Sequence, residues 1–124
     1  MADLEKLVLG EMVDVEAAVR RALAERGFGV LTEIDVAATL KSKLGVERSP
    51  LKIVGACNPA FANRALEIDR SVALFMPCNV VLEQTEDGIR VSAMDPSIMM
   101  GTPGMKPIAE EATQLLAEAI QGLS

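Results

Sequence analysis

Asp87–Gly88 stands between two runs in which apolar residues alternate, CNVVLEQT (78–85) and IRVSA (89–93). An Asp-Gly pair flanked in this way is the strongest short-range signal for a two-residue β-hairpin. The turn sets Leu82 opposite Ala93, Glu83 opposite Ser92 and Gln84 opposite Val91. One face then collects Val80, Leu82, Val91 and Ala93, and the other carries Glu83, Thr85 and Arg90. A chain holding an antiparallel pair with one apolar face must cover that face, and amphipathic helices are the elements suited to do so.

Two long amphipathic helices are on offer. After a first strand in KLVLGEM (6–12), Asp14 is placed to cap a helix, and Val15, Ala18, Val19, Ala22 and Leu23 follow at helical spacing. Arg20, Arg21 and Glu25 mark its wet side, and Gly27 ends it. From about Pro107, Ile108, Ala112, Leu115, Leu116, Ala119 and Leu123 form a second apolar stripe. Between these lie a strand at 28–34, with Phe28, Val30, Thr32 and Ile34 on one face, and a short helix capped by Asp35 and ended by Gly45. A strand LKIVGA (51–56) follows, then a helix that starts at Asn58 and Pro59, N-cap and first-turn proline, with Ala62, Ala65 and Leu66 on its buried side. Ser71–Thr85 has the character of one bent strand or two, broken at Pro77. The order β-α-β-α-β-α-β-β-α, without repeat or linker, predicts a single domain over 1–124. Its fold class is α+β: a two-layer sandwich, a mainly antiparallel twisted sheet with helices on one face.

Composition removes whole classes of function. The chain of 124 residues has no histidine, tryptophan or tyrosine. Imidazole bases and imidazole metal ligands are therefore absent, and catalysis would have to run on carboxylates, Lys, Ser/Thr or Cys. A net charge of −6 and only three aromatics, all Phe, argue against nucleic acid as a partner. No stretch approaches the length of a membrane span. The start MADLEKLVLGEMVD lacks the pattern of a secretory signal, so the expected location is cytoplasmic, with both thiols reduced.

Those two thiols carry the most suggestive pattern. GACNP (55–59) and MPCNV (76–80) each place a cysteine before an asparagine and near a proline. Lys52 should face water, so alternation turns Leu51, Ile53, Gly55 and Cys57 inward. Cys78 shares parity with Val80 and Leu82 and turns inward too. Buried hydrophobic cysteine is the ordinary outcome. Cys57, just before a helix N-terminus, is the better candidate for a reactive thiol, with Asn58 and Asn79 as neutral donors nearby. The C-x₂₀-C spacing without histidine assembles no closed zinc site. Met76, Met94, Met99, Met100 and Met105 offer thioethers to Cu(I), but in a core this poor in aromatics methionine serves first as filler. No metal or cofactor is expected.

Glu33 and Asp35, two apart at a strand end, can project together for acid/base work. A cap role for Asp35 and a lysine partner for Glu33 account for both. GTPGMKP (101–107) lacks P-loop spacing and is expected to be a mobile loop over a cleft.

Three separated motifs, G-F-x-V-x-x-E-I-D at 27–35, G-A-C-N-P at 55–59 and P-C-N-V at 77–80, give the chain a wider likeness. From about Val15 to Ala119 it resembles the small bacterial and archaeal proteins grouped as domain of unknown function 302. Gly27, Phe28, Glu33, Asp35, Lys43, Gly45, Cys57, Asn58, Pro59, Pro77, Cys78 and Asn79 match that family's motif positions. The resemblance implies a β-α-β(4)-α sandwich akin to the TATA-binding-protein fold, often self-associating, and implies no activity. It gives more weight to the two Cys-Asn segments sharing one location.

The expected function is a small, non-enzymatic ligand-binding or interaction domain. No catalytic residue is assigned, and the partners are a second copy (a homodimer) and a small apolar ligand in a cleft between sheet and helices. The candidate site comprises Cys57, Asn58, Pro59, Pro77, Cys78 and Asn79, with Glu33 and Asp35. The alternative is a thiol-dependent redox or transfer protein using Cys57 with Cys78.

Overall fold

Five strands form one antiparallel sheet in the computed structural model, which describes residues 3–99 and 101–124. The strands are β1 (Glu5–Val8), β2 (Gly29–Asp35), β3 (Leu51–Cys57), β4 (Cys78–Thr85) and β5 (Gly88–Ala93), in spatial order β1-β5-β4-β3-β2. The helices are α1 (Met12–Glu25), α2 (Val36–Leu44), α3 (Pro59–Ile68) and α4 (Lys106–Gln121). Val15, Val19 and Leu23 of α1 and Ala112, Leu116 and Ile120 of α4 are buried against Val54, Val80, Leu82, Ile89 and Val91 of the sheet. This is the expected α+β sandwich, with its main core between the two long helices and one sheet face. Among the described residues no helix is long and apolar enough to cross a membrane.

Local chemistry explains most element ends. Asp35 caps α2, its carboxylate accepting from the Ala38 amide at 2.9 Å, and Gly45 ends that helix at φ 68°. After α1, Gly27 takes φ 86°, and the Phe28 and Gly27 amides donate to the Leu23 and Ala24 carbonyls. That is a Schellman ending, and it delivers Phe28 into the core. Asp14 is not the cap of α1: the helix begins two residues earlier, after Gly10 turns the chain at φ 136°, and Asp14 lies in its first turn.

Several strand assignments are corrected. The hairpin loop is Glu86–Asp87, because Thr85 pairs with Gly88, Gln84 with Ile89 and Leu82 with Val91. An Asp-Gly type I′ turn needs positive φ at both positions. Among the described residues only glycines have it, so Gly88 becomes the first residue of β5. The shift is two residues, and the predicted faces survive it. In β2, a bulge between Val30 and Thr32 leaves Leu31 extra. Phe28 and Val30 stay on the helix side, whereas Thr32 and Ile34 emerge on the open face, and Glu33 turns toward the helices. Arg70–Phe75 is a 3₁₀ segment and not strand. Asp69 stabilises its start by accepting from the Ser71 amide and hydroxyl at 2.8 and 2.7 Å, and only Val72 is buried in it. On α3 the inward positions are Phe61, Ala62 and Ala65, while Leu66 is exposed.

Lys52 overturns the inward assignment for β3. It shares the helix-covered face with Val54 and Ala56, and survives there because its ammonium lies 2.7 Å from Glu16 and 3.3 Å from Glu33. Leu51, Ile53 and Gly55 therefore belong to the open face, and Cys57, which alternates with them and pairs with Gly29, is half-buried at the strand end and not turned inward as expected.

Candidate functional site

At the end of the sheet opposite Lys52, β3 runs into α3 and the chain enters β4. Asn58 makes the first of these junctions. Its side-chain oxygen accepts from the Ala60 and Phe61 amides at 3.1 and 3.3 Å, and Pro59 follows in the first turn. Phe61 is thereby set edge-on to Phe28, ring centroids 6.3 Å apart. At the second junction the Met76–Pro77 peptide is cis, Pro77 lies over Gly55 on the open face, and Cys78 turns to the helix side opposite Ala56. The 3₁₀ segment Pro96–Met99 and the start of α4 close the remaining sides.

These pieces enclose an apolar cavity of about 50 Å³. Its walls include Phe28, Phe61, Met76, Cys78, Met99 and Ile108. Cys57, the last residue of β3, borders it as well. No lining residue carries a charged side chain, and the one polar amide, Asn58, is engaged in capping α3. Burial pushes the Cys78 thiol up to about 11, and the neighbouring Cys57 adds to the shift. Cys78 is thus a protonated, neutral thiol at physiological pH. Both cysteines are free thiols.

Four of the eight predicted site residues meet here: Cys57, Asn58, Pro77 and Cys78. Pro59 is exposed on α3 and Asn79 is exposed on the open face, outside the lining. Glu33 and Asp35 lie at the far end of β2. There Glu33 pairs with Arg20 at 2.8 Å and with Lys52, and Asp35 is the cap of α2. Motif reading missed Phe28, Phe61, Met76 and Met99 as wall residues, since they come from four separate segments. The predicted lid is pinned: Met105 is fully buried, and the Thr102 and Met105 amides close successive turns on Met99 and Thr102. Met100 lies outside the described residues.

The sequence profile of the domain of unknown function DUF302 matches residues 6–123. The chain belongs to the DUF302 family. A solved DUF302 structure, an uncharacterized conserved protein from Bacillus stearothermophilus, is 29% identical and superposes with a TM-score of 0.87, covering 94% of each chain. No curated protein matches the sequence. The two Cys-Asn segments, at the end of β3 and the entry to β4, border the same cavity.

Proposed function

We propose that this protein binds a small ligand through an apolar group held in the cavity between β3, β4, α3 and α4, without transforming it. The observation that carries the reading is the lining. It supplies aromatic, aliphatic and sulfur surface, no charged acid or base, and a Cys78 thiol that burial keeps protonated. One water-sized sphere takes roughly 10–15 Å³ on this scale, so the space suits a group of a few heavy atoms. The thiol-dependent alternative has less support, since nucleophilic or redox chemistry requires a thiolate. Short alkyl ligands titrated into the protein and followed by NMR of the methyl groups of Ala56, Ala62 and Met99 test the proposal. Saturable shifts that vanish in Ala62→Leu support it; shifts absent throughout, or unchanged in that variant, reject it.

A second reading concerns self-association. Ile34, Ile53 and Val81 lie in one register row on the uncovered sheet face, beside Glu83 and Arg90. A second copy fits this row, because a two-fold axis would set opposite charges of the two chains across from one another. A mass that rises with concentration, and stays monomeric in Val81→Glu, is the expected result.

A further inference from the structure

We propose that Cys78, Met76 and Met99, with Cys57, form a binding site in this cavity for one soft monovalent metal ion, Cu(I). The inference rests on the reading that the cavity is a ligand site, and it names an ionic occupant. Among the described residues fifteen line the cavity, and the four that carry sulfur come from three segments: the end of β3, the entry to β4 and the 3₁₀ segment Pro96–Met99. Met99 is buried, and Met76 packs on the same cluster with Met105 and Ile108. Cys78 packs against the main core from the sheet side.

The donor set selects among metals. Thioether and thiol sulfur suit Cu(I), whereas calcium and magnesium demand oxygen ligands. Zinc takes thiolate, imidazole or carboxylate, and among the described residues no three Cys, Asp or Glu side chains gather to hold it. Charge points the same way. One Cys78 thiolate, neutral thioethers and a monovalent cation sum to zero, which an uncharged wall tolerates. With Cys78 as the one thiolate, a divalent ion would leave a buried net charge.

Binding breaks the Cys78 S–H bond, releases that proton to solvent and forms an S–Cu bond, with copper remaining Cu(I) throughout. Affinity therefore falls as pH falls. Among the described lining residues the two cysteines are the titratable groups, and the Arg64 guanidinium lies over the ring of the wall residue Phe61 at 5.6 Å.

The test is anaerobic competition for Cu(I), supplied as its acetonitrile complex, against a chromophoric Cu(I) chelator. The expected result is one Cu(I) per chain with about one proton released at neutral pH, and no uptake of Zn(II). Met76→Leu and Met99→Leu keep core volume, and each should weaken binding roughly tenfold or more, as should Cys78→Ser. Melting curves of the metal-free variants confirm that they fold. Copper left on the chelator overturns the inference, as does uptake unaffected by both methionine variants. Should short alkyl ligands bind while Cu(I) does not, this inference fails and the cavity reading stands; should neither bind, both fail.

Discussion

Gly55 lies directly beneath Pro77: a Cβ on Gly55 would stand 2.6 Å from the proline Cγ and would collide with the Thr32 hydroxyl as well. Both neighbours are on the open face, so the absence of a side chain lets the chain entering β4 cross β3. Gly55→Ala should destabilise the fold by about 2 kcal/mol or more, the range for overpacking a site that cannot yield. Thr32→Ala, which removes that hydroxyl, should rescue little, because the rigid proline ring remains. Urea denaturation of the single and double variants measures this, and a loss under ~0.5 kcal/mol would contradict it.

Cys78 makes stability depend on pH at the alkaline end. Its thiol is raised from an ordinary value of 9.0 to about 11. The contribution is thus complete below pH 9 and disappears as pH climbs through 11. The loss is on the order of 2 kcal/mol by linkage. The difference in stability between the protein and Cys78→Ala should hold steady from pH 6 to 8.5 and narrow above 9. Iodoacetamide labelling of native Cys78 should remain slow at pH 8.

Glu16 and Lys52, 2.7 Å apart, hold α1 to the start of β3. Burial works against ionisation of Glu16, but the contacts to Lys52 and Arg20 outweigh it and hold the carboxyl below its ordinary 4.5. Its contribution is therefore full above pH 4.5 and is lost as pH falls through the lowered value. Lys52 is raised above 10.5 by its bond to Glu16, so its contribution is full below that pH and disappears on further alkalinisation. Lys52→Met should cost roughly 1–2 kcal/mol, between the figures for exposed and buried pairs. In a double-mutant cycle, adding Glu16→Gln should recover part of that loss.

Asn58 and Gly27 depend on one another. A Cβ on Gly27 would come within 2.9 Å of the Asn58 amide nitrogen, and Gly27 already needs φ 86°. Gly27→Ala should cost roughly 1–2 kcal/mol from the backbone alone. Asn58→Ala should cost about 1 kcal/mol through the lost cap, and Asn58→Asp much less. Thermal melts of the three variants settle the ranking.

How far the chain could be read in advance follows from what each cue depends on. The faces of β4 and β5 were legible because alternation tolerates a two-residue error in the turn. Those of β2 were not, since the bulge at Leu31 inverts everything after it and leaves no sign in composition. Lys52 misled for a different reason: its two carboxylate partners come from α1 and β2, and no local pattern records them. Asn58 and Asp35 were legible as caps because capping is local chemistry. Of the cavity, the Cys-Asn dipeptides marked Cys57, Asn58 and Cys78. Phe28, Met76 and Met99 joined only through tertiary packing.

The clamp between the first strand and the last helix has a consequence for synthesis. The Lys6 ammonium donates to the Gln121 and Leu123 carbonyls, and the Gln121 amide reaches back to the carbonyls of Asp3 and Glu5. Because β1 lies beside β5, it has no hairpin neighbour until most of the chain has been made. On a ribosome the first strand must then wait, unpaired, for β5 to emerge, and it is locked only when α4 clears the exit tunnel. Of the five strands, β1 is therefore the one that stays unpaired longest during synthesis.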